Sequence, residues 1–440
     1  MGRLTRALAA GAVAVGLGAF GAEAVSAFDE FEALEADATY GREIRFEVEL
    51  AGGAPDRLEL LLRTPGSEAS FVVPVDASGE SATYVWNTAV DYVTPNTNVS
   101  YRWRATDGDE VILSDEATIR YEDDRPGLDW RRAQLGEATV HWYGDAEAQA
   151  LRFGELTAVG VERAEALLGT ELAGPVDVFV YDAEDEFFGA LGPGAREWTG
   201  AAAYSEIRTI FMWLRGGDAA YLETAMVHEV THIVFYDATD NPFHEPARWL
   251  NEGIATWSEG GDVADERSIV ELEASGSGLF AFEAITAQFP IGERGGRLSY
   301  AQGATMVDMI VDRYGEEAIA RIAAAYRDGA SDDEALEAGT GVAAADLYAE
   351  YYAAFGVEAP SPISSDPIAA SNVERPEVGV IDRGGVGPDA EPPEPVPGEA
   401  PPPVGGGSDA AFVIGLVAMT LVVATAAVLV ARRAGRRASS

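Results

Sequence analysis

The chain has 440 residues and carries 74 acidic against 30 basic side chains, a formal charge of −44. A field of that sign repels phosphate backbones and excludes nucleic acid as a partner. Cysteine is absent, which excludes disulfides, thiolate metal sites, iron–sulfur clusters and thiol nucleophiles.

The first 27 residues read as an export signal. Arg3 and Arg6 precede an apolar, Ala-rich run over 7–20, and Val25-Ser26-Ala27 offers small residues at a cleavage site. Residues 28–125 read as all-β. Ile44, Phe46, Val48 and Leu50 alternate with polar residues, as do Leu58, Leu60 and Leu62, and Val99, Tyr101 and Trp103. Asp107-Gly108 is a hairpin turn signal. About seven short strands suggest an immunoglobulin- or fibronectin-like sandwich. It shows no chemistry and reads as a spacer or recognition module. Glu122-Asp123-Asp124, with Asp129 nearby, reads as a solvated linker in preference to a calcium loop, since its oxygen spacing fits no loop motif.

Residues 136–357 turn to mixed α and β. Strands are expected over 138–143 and 176–181, with strand material in 201–213, and a long helix over 146–168 ends at Gly169. Helices dominate after Asp218, which makes this an α+β domain. Residues 358–408 are rich in Pro, Gly and acid, as in Pro401-Pro402-Pro403, and read as a stalk without a core. Residues 410–431 are apolar and uncharged. At 1.5 Å per residue they span about 33 Å, enough for one transmembrane helix. Arg432, Arg433, Arg436 and Arg437 follow in a basic tail over 432–440. Positive flanks stay cytoplasmic, so the folded part is expected on the outer face of a cell membrane.

The chemistry gathers at Met226-Val227-His228-Glu229-Val230-Thr231-His232. Two histidines four apart project from one helical face and suit one zinc ion. Glu229 sits one step round, placed to act as a base on water at the metal. A catalytic zinc needs a third ligand and an open position. Glu252, twenty residues after His232 in a second helix introduced by Pro246, supplies it, with Leu250, Ile254 and Trp257 forming that helix's apolar face. His244 competes for the place but lies in a loop. A metzincin arrangement needs Gly and His where the chain has Phe235 and Ala238. His141 reads as an ordinary strand residue.

Through His228-Glu229-x-x-His232, Trp249-Leu250-Asn251-Glu252-Gly253-x-Ala255 and Tyr300-Ala301-Gln302-Gly303, residues 137–356 resemble the gluzincins. They most resemble the bacterial peptidase MA-like proteins, relatives of the membrane alanyl aminopeptidases. The resemblance implies a zincin-like fold, Zn2+ held by His228, His232 and Glu252, and Glu229 as general base. It also implies that Tyr300, at the opening of a helix running to Tyr314, stabilises the oxyanion. The strand that grips a free amine in the aminopeptidases has Gly200-Ala201-Ala202-Ala203-Tyr204 as its nearest match, without the glutamate. That strand can still hold an extended peptide along its edge. Thr256 stands where thermolysin-like relatives carry an aspartate. The expected function is hydrolysis of peptide or protein substrates by a membrane-anchored zinc metallopeptidase. Its alternatives are a zinc amidohydrolase of cell-wall peptides and a non-catalytic adhesive or sensory surface protein.

Overall fold

Alternation of apolar and polar residues sets the strands of the first part of the chain. In this computed structural model residues 28, 30–67, 69–192, 200–290 and 292–360 are described. The expected signal segment and, from residue 361 on, the stalk, membrane helix and basic tail lie outside the described residues. Among the described residues no helix is long and apolar enough to cross a membrane. They fall into two compact units.

The first unit is all-β, built from residues up to 91 and from 98–121. Its strands are β1 (Glu30–Thr39), β2 (Glu43–Ala51), β3 (Arg57–Arg63), β4 (Phe71–Val75), β5 (Ala77–Ser78), β6 (Ser81–Trp86), β7 (Thr97–Asp107), β8 (Glu110–Leu113) and β9 (Ala117–Tyr121). One sheet runs β1-β2-β6-β5 and the other β4-β3-β7-β8, with β9 also paired to β7. The alternating residues named above are buried, and Phe46 meets Tyr101 edge-on at 5.0 Å between the sheets. Among the described residues nine strands stand where the sequence suggested about seven. The two-residue β5 is too short to show a period, and β1 interleaves acids and alanines too evenly to mark a face.

The second unit contains β10 (Arg131–Leu135), β11 (Ala138–Trp142), α1 (Glu147–Leu168), β12 (Val176–Tyr181), α2 (Glu184–Leu191), β13 (Ala201–Tyr204) and β14 (Thr209–Trp213). The helices α3 (Ala219–Thr239), α4 (Arg248–Ser258), α5 (Ala264–Ala274), α6 (Glu293–Tyr314), α7 (Glu317–Arg327), α8 (Asp332–Thr340) and α9 (Ala344–Ala354) follow. The sheet order is β10-β11-β12-β14-β13. β11, β12 and β14 are parallel, and β10 and β13 close the two edges antiparallel. α1 crosses over between β11 and β12 and stops at Gly169, whose φ of 64° ends the helix in the left-handed conformation. One sheet face packs Val140, Val178, Val180, Ile210 and Met212 against the helices. The other packs Phe179, Tyr181 and Phe211 under α2.

The acidic run at the start of this unit is exposed at Glu122, Asp124 and Asp129, as a solvated linker would be, and departs from that reading at Asp123 alone. Asp123 is buried, accepts hydrogen bonds from Arg125 Nε at 2.8 Å and Nη2 at 2.6 Å, and accepts another from the Tyr181 hydroxyl at 2.9 Å. A carboxylate taken out of water needs such partners, and Arg125 and Tyr181 provide them without a metal ion.

Two glycines decide how α4 and α6 meet. A Cβ on Gly253 would lie 2.5 Å from the carbonyl carbon of Gly303, and one on Gly303 would lie 2.4 Å from the Trp249 carbonyl oxygen. Only bare backbone permits that approach. It brings the segment after Tyr300 against the segment around Glu252.

Candidate metal centre

α3 begins where Asp218 caps it, accepting a hydrogen bond from the Tyr221 N–H at 2.9 Å. Met226, Val230, Ile233 and Val234 fix the helix in the core. His228, Glu229 and His232 are then buried with it, the two histidines against Glu259 and Asn251 and Glu229 against β13. α4 starts at Arg248, so Pro246 precedes the helix and does not occupy its first turn; Ala247 holds the N-terminal boundary. Leu250 and Ile254 are fully buried and Trp257 partly so.

The Nε2 atoms of His228 and His232 lie 3.5 and 3.4 Å from Glu252 Oε2. Ligand atoms of the three residues all fall within 4.8 Å of one another. Each ring is held through its other nitrogen. His228 Nδ1 is 2.7 Å from Glu259 Oε1, and His232 Nδ1 is 2.8 Å from Asn251 Oδ1. A proton kept at Nδ1 leaves the Nε2 lone pair aimed at the shared point. His228 Nε2 and Glu252 Oε2 are buried and make no hydrogen bond. Leaving such atoms unsatisfied is costly, and a cation between them removes the cost. Two imidazoles and one carboxylate form the donor set of a catalytic zinc site, so the residues fit that ion.

Burial opposes charge on His228, but Glu252 and Glu259 outweigh it and push its pKa up to about 10. Glu252 shows the converse: burial raises its carboxyl, and His228, His232 and Arg248 overcome this and hold it well below the usual range.

Glu229 accepts a hydrogen bond on Oε2 from the Ala203 N–H of edge strand β13, at 2.8 Å. Burial raises its carboxyl pKa above the ordinary value. The Tyr300 ring lies 6.4 Å from the His228 ring and meets Phe289 edge-on at 5.2 Å. Burial, and then the charge of Glu252, push its hydroxyl well above its ordinary value. Tyr300 sits two turns inside α6 and does not open it; the helix begins at Glu293, after Gly292 at φ 106°.

His244 stands apart from the cluster, 5.9 Å from the Tyr326 ring. His141 pairs with Asp177 at 2.7 Å and stacks on Phe179 at 4.1 Å. The position beside the first histidine belongs to Glu259 and not to Thr256. Sequence reasoning missed Glu259, Asn251 and Arg248. Spacing could have found Glu259, which lies seven residues after Glu252 and so near the same side of the helix.

Residues 157–355 match the family model described as the Peptidase MA superfamily. No curated protein matches the chain. Among solved structures it is similar to an M1 zinc metallopeptidase from Deinococcus radiodurans, at 13% identity and a TM-score of 0.35 over 74% of this chain and 92% of that one. An aminopeptidase N family protein from Idiomarina loihiensis matches at 9% identity and a TM-score of 0.35, over 67% and 70%. The crystal structure of BhCBM56 matches 21% of this chain over 99% of its own length, at 6% identity and a TM-score of 0.18. Likenesses this distant carry no weight here; the family match and the motif residues within it do. Over residues 157–355 the chain is therefore similar to the Peptidase MA superfamily, the likeness that its motif residues also carry.

Proposed function

We propose that the second unit is the catalytic part of a zinc-dependent metallopeptidase, held on the outer face of a membrane, that cleaves peptides or proteins. The observation that carries this reading is the buried convergence of His228, His232 and Glu252, with His228 Nε2 and Glu252 Oε2 unsatisfied.

Zinc bound there would supply a Lewis acid that polarises the scissile carbonyl and makes water a nucleophile near neutral pH. Ala203 fixes one oxygen of Glu229 and leaves the other to take the proton from the attacking water. The raised carboxyl pKa suits a group that must then return that proton to the leaving nitrogen. Tyr300 stays protonated and donates a hydrogen bond to the oxyanion. β13, three alanines and Tyr204, is the edge of the sheet, beside which an extended substrate can add as a further strand. The described part of that edge offers no carboxylate to a free amine. Outward placement is supported by the Arg-led apolar start of the chain and by the apolar span 410–431 with arginines behind it.

The test has three readings. Metal analysis of the purified ectodomain is expected to give one zinc per chain, absent from His228→Ala; no zinc in either protein refutes the site. Glu229→Gln is expected to keep zinc and the fold while turnover drops roughly 10²–10⁴-fold, because a carboxamide fills the space but is no base. Protease added to intact cells should release an active fragment ending in the stalk; release only after lysis refutes the outward placement.

A further inference from the structure

The two oxygens of Glu252 face different partners. Oε2 points to the histidine Nε2 atoms. Oε1 meets Nη2 of Arg248, one turn back on α4, at 3.3 Å. Solvent screens this pair little, since the Glu252 side chain is fully buried and that of Arg248 is 26% exposed. Two contacts hold Arg248 independently of the carboxylate. Its backbone N–H donates to the Thr286 carbonyl at 2.6 Å, and its guanidinium lies 5.1 Å over the Phe289 ring. Phe289 in turn abuts Tyr300.

A cation beside a metal ligand repels the metal, so Arg248 does not serve ion affinity by its charge. The carboxylate's geometry gives it a different use. A carboxylate with both oxygens available can ligate through both. At this site the second oxygen would occupy coordination space that a catalytic zinc keeps open for water and substrate. We infer that Arg248 is a positioning residue that reserves Oε1 and confines Glu252 to ligation through Oε2 alone. The planar guanidinium suits this role because it is fixed by stacking on Phe289 and presents directed N–H donors. The inference rests on the zinc reading proposed above and extends it to how the third ligand binds.

Cobalt(II) added to the metal-free ectodomain tests it, because the intensity of its visible bands reports coordination number. The wild type is expected to show the intense bands of a low-coordinate site. Arg248→Met keeps the apolar stem and loses the donors; its bands are expected to weaken by roughly twofold or more as Oε1 joins the metal. Arg248→Lys keeps a cation near Oε1 and is expected to retain most of the wild-type intensity. If Arg248→Met does not fold, Arg248→Leu, which also lacks donors, takes its place with the same expectation. A wild-type spectrum in the Met or Leu variant overturns the inference, as does an equal loss in Lys and Met, which would make Arg248 a packing residue. If the wild type binds neither cobalt nor zinc, the zinc reading falls instead.

Discussion

Glu259 is the group whose removal should be felt most at the metal without touching it. It holds His228 Nδ1 at 2.7 Å, and its side chain is only 16% exposed beside a histidine that is 1% exposed. A charged acceptor this close and this dry contributes more than a neutral one, on the order of 1.5–3 kcal/mol against about 0.5–1.5 kcal/mol. Glu259→Ala loses the orientation of the ring and the electrostatic support of its ligating nitrogen. Zinc affinity, measured by competition with a chromophoric chelator, should fall roughly 10–100-fold, which is about 1.4–2.7 kcal/mol. Asn251→Ala removes a neutral acceptor from His232 at 2.8 Å and should cost less, about 2–10-fold. Glu259→Gln keeps an oxygen acceptor and should fall between them. A Glu259→Ala protein that binds zinc within about twofold of the wild type refutes this reasoning. So does a larger loss from Asn251 than from Glu259, since the ranking follows from charge and burial alone.

Three further outcomes are expected. Tyr300→Phe should lower kcat by roughly 10²–10³-fold with little change in KM, and steady-state kinetics on any accepted peptide would show otherwise if Tyr300 only packs against Phe289. Gly303→Ala should lose about 1–3 kcal/mol in chemical denaturation, because its Cβ would meet the Trp249 carbonyl oxygen at 2.4 Å; wild-type stability would mean that the helices can part freely. Glu206 titrates high, pushed up to about 7 by burial and then by Glu245 and Asp240. A carboxyl with a raised folded pKa binds its proton more tightly in the native state, so stability falls as pH rises from about 4.5 to about 7. Glu206→Gln should therefore stabilise the protein at pH 8 by on the order of 1–2 kcal/mol in chemical denaturation, and the gain should vanish near pH 4; an equal gain at both pH values would assign the effect to packing.

The order of β then α was legible because each period is written in the residues that bury. Leu58, Leu60 and Leu62 alternate, and 146–168 carries a helical pattern to a glycine stop. What sequence missed depends on partners far along the chain. Asp123 looks solvated until Tyr181 and Arg125 close on it. β1 shows no face until β2 supplies one. At the metal centre, the residues that would touch the ion sit in a dense local motif with few histidines elsewhere to confuse it. The residues that steady them carry no such mark. Glu259 and Arg248 are ordinary charged side chains in a chain full of acid, and only their burial beside His228 and Glu252 sets them apart. Tyr300 was misplaced within its helix because Glu293 to Ser299 lacks an apolar stripe strong enough to announce an earlier start.

The crossing of Gly253 and Gly303 also bears on how this scaffold can vary. Most helix pairs touch through side chains, which act as adjustable shims: a larger residue spreads them and a smaller one lets them settle. Here backbone rests on backbone, and no shim exists. The distance between the Tyr300 segment and the Glu252 segment is therefore a constant of the fold, set by van der Waals radii and closed to tuning by substitution at the contact. A change of substrate preference must be written elsewhere, in the loops around the β13 edge. A designer who wishes to alter selectivity can leave the joint alone and treat those surfaces as the variable part.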